Sequence, residues 1–223
     1  MAAGDMWSSD QNLDKIRHHS GFTSTVTESF GSAGVNPRGL TSDQTNLYST
    51  DADTSNKHYR HSGFTSTVST SIAAPYSDPH ACTWDGTNFY STTVTTADKI
   101  FKHSGFSTTI LDSFAAPNGT PSGLTYDGTN FYSGDQTTAK FYKHSGFSST
   151  ITDSIAAPGT LPRNICWYQS NLYSVLVIAA KFFKHSGFTT TITDSFAAGA
   201  TYPTGLTFED FGGGGGSVTY PSS

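Results

Sequence analysis

Cysteine is almost missing from this chain. Two residues in 223, Cys82 and Cys166, cannot make the disulfide framework that stiffens many small extracellular domains. Long apolar runs are missing too. The longest, Val175 to Ala180, has the length of a strand and falls far short of the roughly 20 residues that a membrane-spanning helix needs, so no membrane insertion is expected. The opening Met1-Ala2-Ala3-Gly4-Asp5-Met6-Trp7 has neither the basic start nor the apolar centre of a secretory signal. Charge is scarce: Asp, Glu, Lys and Arg supply 13% of residues, against about 25% in ordinary globular domains. With 12 Lys+Arg against 17 Asp+Glu, the net charge is −5. No basic field is present to hold a phosphate backbone, and nucleic acid is not an expected partner.

What the chain has instead is repetition. His-Ser-Gly-Phe begins at His19, His61, His103, His144 and His185, at spacings of 42, 42, 41 and 41 residues. Each copy leads into a Thr/Ser-rich segment, such as Thr25 to Phe30 or Thr191 to Phe196. A period of this size marks an array of supersecondary units. The unit that reads most clearly predicts four strands: A over Gly123 to Asp127, B over Asn130 to Gly134, C over Lys140 to His144 and D over Ser149 to Ile155. Asp127-Gly128 supplies the A–B hairpin, because glycine reaches the positive φ that such turns require.

The fold class expected is therefore all-β: a five-bladed β-propeller of four-stranded antiparallel blades. The ends predict how the ring closes. Asp5 to Asp10 aligns with Asn46 to Asp51, so the chain starts at a strand B, while Pro203 to Phe208 is a strand A. One blade must combine the C-terminal strand A with the N-terminal strands B, C and D. The blade units fall near 39–80, 81–122, 123–163, 164–204, and 205–211 with 1–38. Residues 212–223 read as a flexible glycine-rich tail.

Inner strands of a propeller pack on both faces, which makes Leu40, Cys82, Leu124, Ile165 and Leu206 core positions of strand A and Leu47, Phe89, Phe131 and Leu172 core positions of strand B. Cys82 and Cys166 fall in different blades and are expected to be unpaired. Glu28, Asp112, Asp153 and Asp194, with Thr70 in the odd blade, recur in strand D, where charge protects an exposed edge.

Three sets of residues are candidates for function. The five repeat histidines are spread by symmetry around a peripheral ring, whereas a metal needs three or four ligands converging at about 2.0–2.3 Å. They read as turn-stabilising groups, and no metal or cofactor is expected. The second set sits at the entry to strand A: Arg38, His80, Ser122, Arg163 and Thr204. Among these Arg38, His80 and Arg163 are the channel candidates, able to grip an anion but accompanied by no carboxylate or nucleophile, so no catalytic residue is assigned. The third set repeats in every blade: Lys15, Lys57, Lys99, Lys140 and Lys181 with the strand B aromatics Trp7, Tyr48, Tyr90, Tyr132 and Tyr173. If they meet at blade junctions, rings beside polar donors suit a sugar. Asp10, Asp51 and Asp135 are expected either to pair with these lysines at the surface or to cap the B–C loop.

The run Pro121-x-Gly123-Leu124-Thr125-x-Asp127-Gly128-x-Asn130-Phe131-Tyr132-Ser133-x-Asp135, followed by Lys140-Phe141-Tyr142-Lys143, resembles the NHL repeat, and the likeness recurs along nearly the whole chain. It implies a propeller that serves as a protein-, RNA- or glycan-binding surface, or in some members a small-molecule lyase or lactonase. The chain departs from the pattern in having five blades where six are common, and lysine where strand C usually carries arginine. Its blade number is shared with certain animal lectins.

The function expected is a non-enzymatic structural or binding module, a virion or cell-surface component that decorates or adheres, with other structural proteins or a glycan-bearing surface as partner. A glycan-binding lectin and an NHL-like lyase or lactonase are the alternatives. A virion or extracellular setting fits the composition, and a cytoplasmic one stays open.

Overall fold

A computed structural model of the chain describes residues 4–95, 98–199 and 202–209. Chain order gives β1 (Met6–Asp10), β2 (Lys15–His19) and β3 (Val26–Gly31). Four complete blades follow, running from β4 (Pro37–Ser42) to β7 (Val68–Ala73), β8 (Pro79–Trp84) to β11 (Ile110–Ala115), β12 (Pro121–Tyr126) to β15 (Ile151–Ala156) and β16 (Pro162–Tyr168) to β19 (Ile192–Ala197), with β20 (Pro203–Phe208) last. Each blade is a four-stranded antiparallel sheet in chain order, and the fifth has the order β20-β1-β2-β3. The five-bladed propeller is thus closed as the ends of the sequence require. Met6 faces Phe208, Trp7 faces Thr207, Ser8 faces Leu206 and Ser9 faces Gly205. The 212–223 tail lies outside the described residues.

Strand A begins earlier than the repeat pattern suggests, at Pro37, Pro79, Pro121, Pro162 and Pro203. Proline is tolerated there because the first residue of a strand that lines the channel has no ladder bond to donate. A register shift follows within the next residues of each strand A, as between Pro121 and Gly123. Neighbouring A strands then approach very closely. A Cβ on Gly39 would lie 2.7 Å from the His80 carbonyl oxygen, and one on Gly205 would lie 2.8 Å from that of Arg38. Gly39 and Gly205 permit this approach where a Cβ would clash with backbone, although the equivalent positions in two other blades carry Ala81 and Asn164.

The core is not a single mass but five clusters, each wedged between consecutive blades. One joins Tyr132 and Phe141 to Ile165, Leu172 and Phe188 of the next blade; another joins Trp7 and Ile16 to Leu40, Leu47 and Phe64. The phenylalanine of each His-Ser-Gly-Phe copy reaches back onto the preceding blade's strand B aromatic: Phe64 on Trp7 at 5.7 Å, Phe106 on Tyr48 at 5.1 Å, Phe147 on Tyr90 and Phe188 on Tyr132 at 5.0 Å, and Phe22 on Tyr173 at 5.0 Å. The repeat motif therefore encodes contact between blades as well as the C–D turn. Strand D is exposed along nearly its whole length, as an outermost strand should be.

Candidate functional site

The repeat histidines hold the blade together from inside. His19, His61, His103, His144 and His185 are fully buried rather than peripheral. In each, Nε2 meets a strand B serine (Ser8, Ser49, Ser91, Ser133 or Ser174) at 2.8–3.0 Å. Nδ1 meets the carbonyl four residues on, at 2.8–3.0 Å. The turn-stabilising reading holds, with strand B as its second anchor. Burial lowers the proton affinity of all five, for His19 to a pKa of about 4.

The repeated lysines and strand B aromatics do not form a common pocket. Lys15, Lys57, Lys99, Lys140 and Lys181 face Asp10, Asp51, Thr93, Asp135 and Leu176, at the far end of strand B from the rings. Trp7, Tyr48, Tyr90, Tyr132 and Tyr173 are buried in the interblade clusters. The cation that does lie over a ring is the second lysine of strand C: Lys102 over Tyr90, Lys143 over Tyr132 and Lys184 over Tyr173, each at 5.8 Å. In three blades the tyrosine hydroxyl points into the A–B turn. Tyr48, Tyr90 and Tyr132 donate to Asp43, Asp85 and Asp127 at 2.8, 2.5 and 2.6 Å, and the other oxygen of each aspartate takes two turn amides. The closing blade reproduces this staple across the termini, with the Trp7 indole donating to Glu209.

Asp10, Asp51 and Asp135 are buried rather than paired with lysine at the surface. Asp10 accepts from the Asn12 and Leu13 amides and lies 3.3 Å from Arg17, and Asp135 accepts from the Thr138 amide and hydroxyl. Loop capping is thus the role of these two. Neither oxygen of Asp51 has a full hydrogen bond. Cys82 and Cys166 are both free thiols, raised by burial to about 12.

At the end of the channel where strand A begins, unlike residues meet. Arg38 donates to His80 Nε2 and lies 3.3 Å from Asp78, which is also 3.4 Å from His80. The channel set therefore does include a carboxylate, Asp78, contrary to the sequence-based expectation. It stands in the connection before Pro79, outside the repeat. Arg163 donates to the Tyr202 hydroxyl at 2.7 Å and stacks on its ring at 5.3 Å. Ser122 and Thr204 instead donate across to the carbonyls of Pro162 and Pro37. Burial lowers His80 to a pKa of about 4, with Asp78 opposing the shift and Arg38 and Arg163 adding to it. The close contact with His80, aided by the two arginines, holds Asp78 below the usual carboxylate range against its partial burial. Among the described residues, no group of three His, Cys, Asp or Glu side chains could hold a metal ion.

The opposite end of the channel is a cup open to solvent. Its inner ring is Thr41, Thr83, Thr125, Cys166 and Thr207, one from each blade; Trp84, Tyr126, Trp167 and Phe208 follow them in sequence and wall the cup together with Tyr168. Two walls are braced from behind and two stack on each other. Trp84 stacks on Tyr48 (5.5 Å, 12°), Trp167 on Tyr132 (5.0 Å, 7°) and Tyr168 on Phe208 (4.4 Å, 6°). Sequence reasoning missed this cup, although the recurrence of aromatics right after the inner-ring position in four of five A strands was a visible signal.

No family model and no curated protein matches the chain. Solved structures do. A chain from the nidogen/laminin complex matches with a TM-score of 0.61 at 16% identity, over 92% of this chain and 99% of that one. The glutaminyl cyclase of Myxococcus xanthus matches with a TM-score of 0.60 at 12% identity, over 72% and 76%. A chain of the mitotic checkpoint complex matches at 0.53 and 11%, over 90% and 61%. The first two are β-propeller proteins, and at these identities the likeness is one of fold, not specifically of the NHL type.

Proposed function

We propose that the chain is a non-enzymatic binding module of a virion or cell surface, and that it recognises saccharide rings at the aromatic cup while its five outer strands present a repeated surface. The aromatic cup carries this reading. Half-buried Trp84 and Trp167, each stacked on the neighbouring blade, and Tyr126, tilted against Phe131 of its own blade, surround a ring of four threonines and Cys166 in a concave, solvent-open site. An aromatic face packs against the C–H side of a sugar and nearby hydroxyls bond its polar rim; rigid rings make such contacts at little entropic cost. Among the described residues lining the cup, the ionisable groups are two tyrosines and the Cys166 thiol, which burial holds protonated at neutral pH, and these do not make an acid–base pair suited to chemistry. A glycan-bearing surface is the partner this chemistry fits.

Glycan-array screening followed by tryptophan fluorescence tests it. Trp84 and Trp167 wall the cup while Trp7 is buried, so a bound glycan should change the emission of the first two. Trp167→Ala should weaken binding at least about tenfold and Lys99→Ala should leave it unchanged. An array without a hit, or a hit that survives loss of both cup tryptophans, refutes the reading.

A further inference from the structure

At the other end of the channel the partly buried charges facing the axis do not balance. Around the axis the residues at the entry to strand A run Thr204, Arg38, His80, Ser122, Arg163, following the packing order of β20, β4, β8, β12 and β16. The two hydroxyls are committed to neighbouring carbonyls. That leaves two guanidinium groups, one carboxylate and an imidazole that is neutral at physiological pH. Arg38, Arg163 and Asp78 thus carry one positive charge in excess. The Nε of Arg38 and the Nε of Arg163 are both buried and, among the described residues, have no hydrogen-bond partner. Arg38 is held below the ordinary arginine range by burial, against Asp78 and with Arg163 adding to the effect. A partly buried cation excess with two orphaned Nε donors favours the entry of a counter-charge.

We propose that this mouth binds a small oxyanion, as a free ion or as the acidic group of a larger ligand, between Arg38 and Arg163. Guanidinium forks match carboxylate and phosphate oxygens in spacing and direction, which an ammonium does not. The Tyr202 hydroxyl accepts from Arg163 and keeps its own proton to donate. Gln136, whose Nε2 lies 3.4 Å from His80 Nδ1, stands on the same rim. Asp78 orients Arg38 and excludes anions from its own side, so the ligand is directed toward Arg163.

Titration calorimetry at fixed ionic strength, with chloride as the background ion, separates the sources: inorganic phosphate, acetate and glucuronic acid as probes, and glucose as the neutral control. The expected result is saturable one-to-one binding of at least one acidic probe, weakened about ten- to hundredfold in Arg163→Gln. Trp167→Ala, at the opposite mouth, should not affect it. Glucuronic acid binding more tightly than acetate would assign the acidic group of a larger ligand; phosphate binding most tightly would assign the free ion. Should Arg163→Gln fail to fold, Arg163→Lys keeps the charge and removes the fork, and should still weaken binding. Absence of saturable binding by all three acids, or equal affinity in wild type and the Arg163 variant, overturns the proposal.

Discussion

Asp51→Asn should stabilise the propeller above neutral pH, and the size of the gain can be worked from the site. Asp51 ends its strand B fully buried, beside Asp53 and Asp14, and the Gly34 amide offsets the burial only in part. Burial raises its pKa from 3.8 to about 7. The folded state therefore favours the protonated carboxyl. Stability from this group is fully present below pH 3.8 and is lost as pH rises through about 7. At about 1.4 kcal/mol per tenfold change in proton affinity, the ceiling on that loss is about 4 kcal/mol. An asparagine amide keeps the shape without the charge but must itself find partners, at a cost of about 1–3 kcal/mol. The net gain expected at pH 8 is then about 1–3 kcal/mol. Urea unfolding of both proteins at steps from pH 4 to 8 gives the difference directly, and subtracting one curve from the other removes groups that titrate identically in both. A difference that stays flat across this range would refute the assignment of a buried, proton-hungry Asp51.

The wild-type protein should also be acid-labile. The repeat histidines and His58 and His80 are depressed below 6.5, to about 4 for His19 and His80 and about 3 for His58, so their stability contribution is full above pH 6.5 and is lost as pH falls toward 4, which a chemical-denaturation series will show as a steep decline there. Removing residues 200–223 takes away β20 with buried Leu206 and Phe208, exposes Trp7 and should lower the melting temperature by more than about 10 °C or prevent folding altogether, whereas a truncation that melts like the full chain would disprove strand-mediated closure.

Most of the fold was legible because every blade states the same thing. The repeat period, the strand order, the core leucines and the mixed closing blade all followed from alignment of five copies. Register along a strand was harder. Lys140 and Tyr132 both look like junction residues in a one-dimensional repeat, but Lys140 faces Asp135 while Tyr132 faces Lys143, three residues further along strand C. Tyr132 turns into the interblade core, and no propensity argument could show that its hydroxyl would be taken by Asp127. Asp78 was invisible for a different reason. The residue before each strand A proline is Asn36, Asp78, Thr120, Leu161 or Tyr202, so a method that reads repetition sees noise there. The chemistry of the Arg38 mouth depends on that noise.

Symmetry itself explains where a single site belongs. Residues that recur in all five blades answer to demands that recur in all five: the Ser–His–carbonyl bridge, the phenylalanine set against the preceding blade and, in three blades, the Asp–Tyr staple. A group repeated around a ring points outward or sideways five times and cannot converge with its copies, so it serves the blade. Only the ends of strand A approach the axis closely enough for different blades to touch one ligand, and it is there that Arg38, His80, Ser122, Arg163 and Thr204 differ at one mouth and Ser42, Trp84, Tyr126, Trp167 and Phe208 differ at the other. Variation against an otherwise uniform background is tolerated where packing between blades does not forbid it. Binding stoichiometry distinguishes the two geometries without reference to ligand identity: an axial site fills once per chain, whereas a blade site fills up to five times. A ligand bound in one-to-one ratio therefore belongs to the channel mouths, where two arginines face one end and a wall of aromatics faces the other.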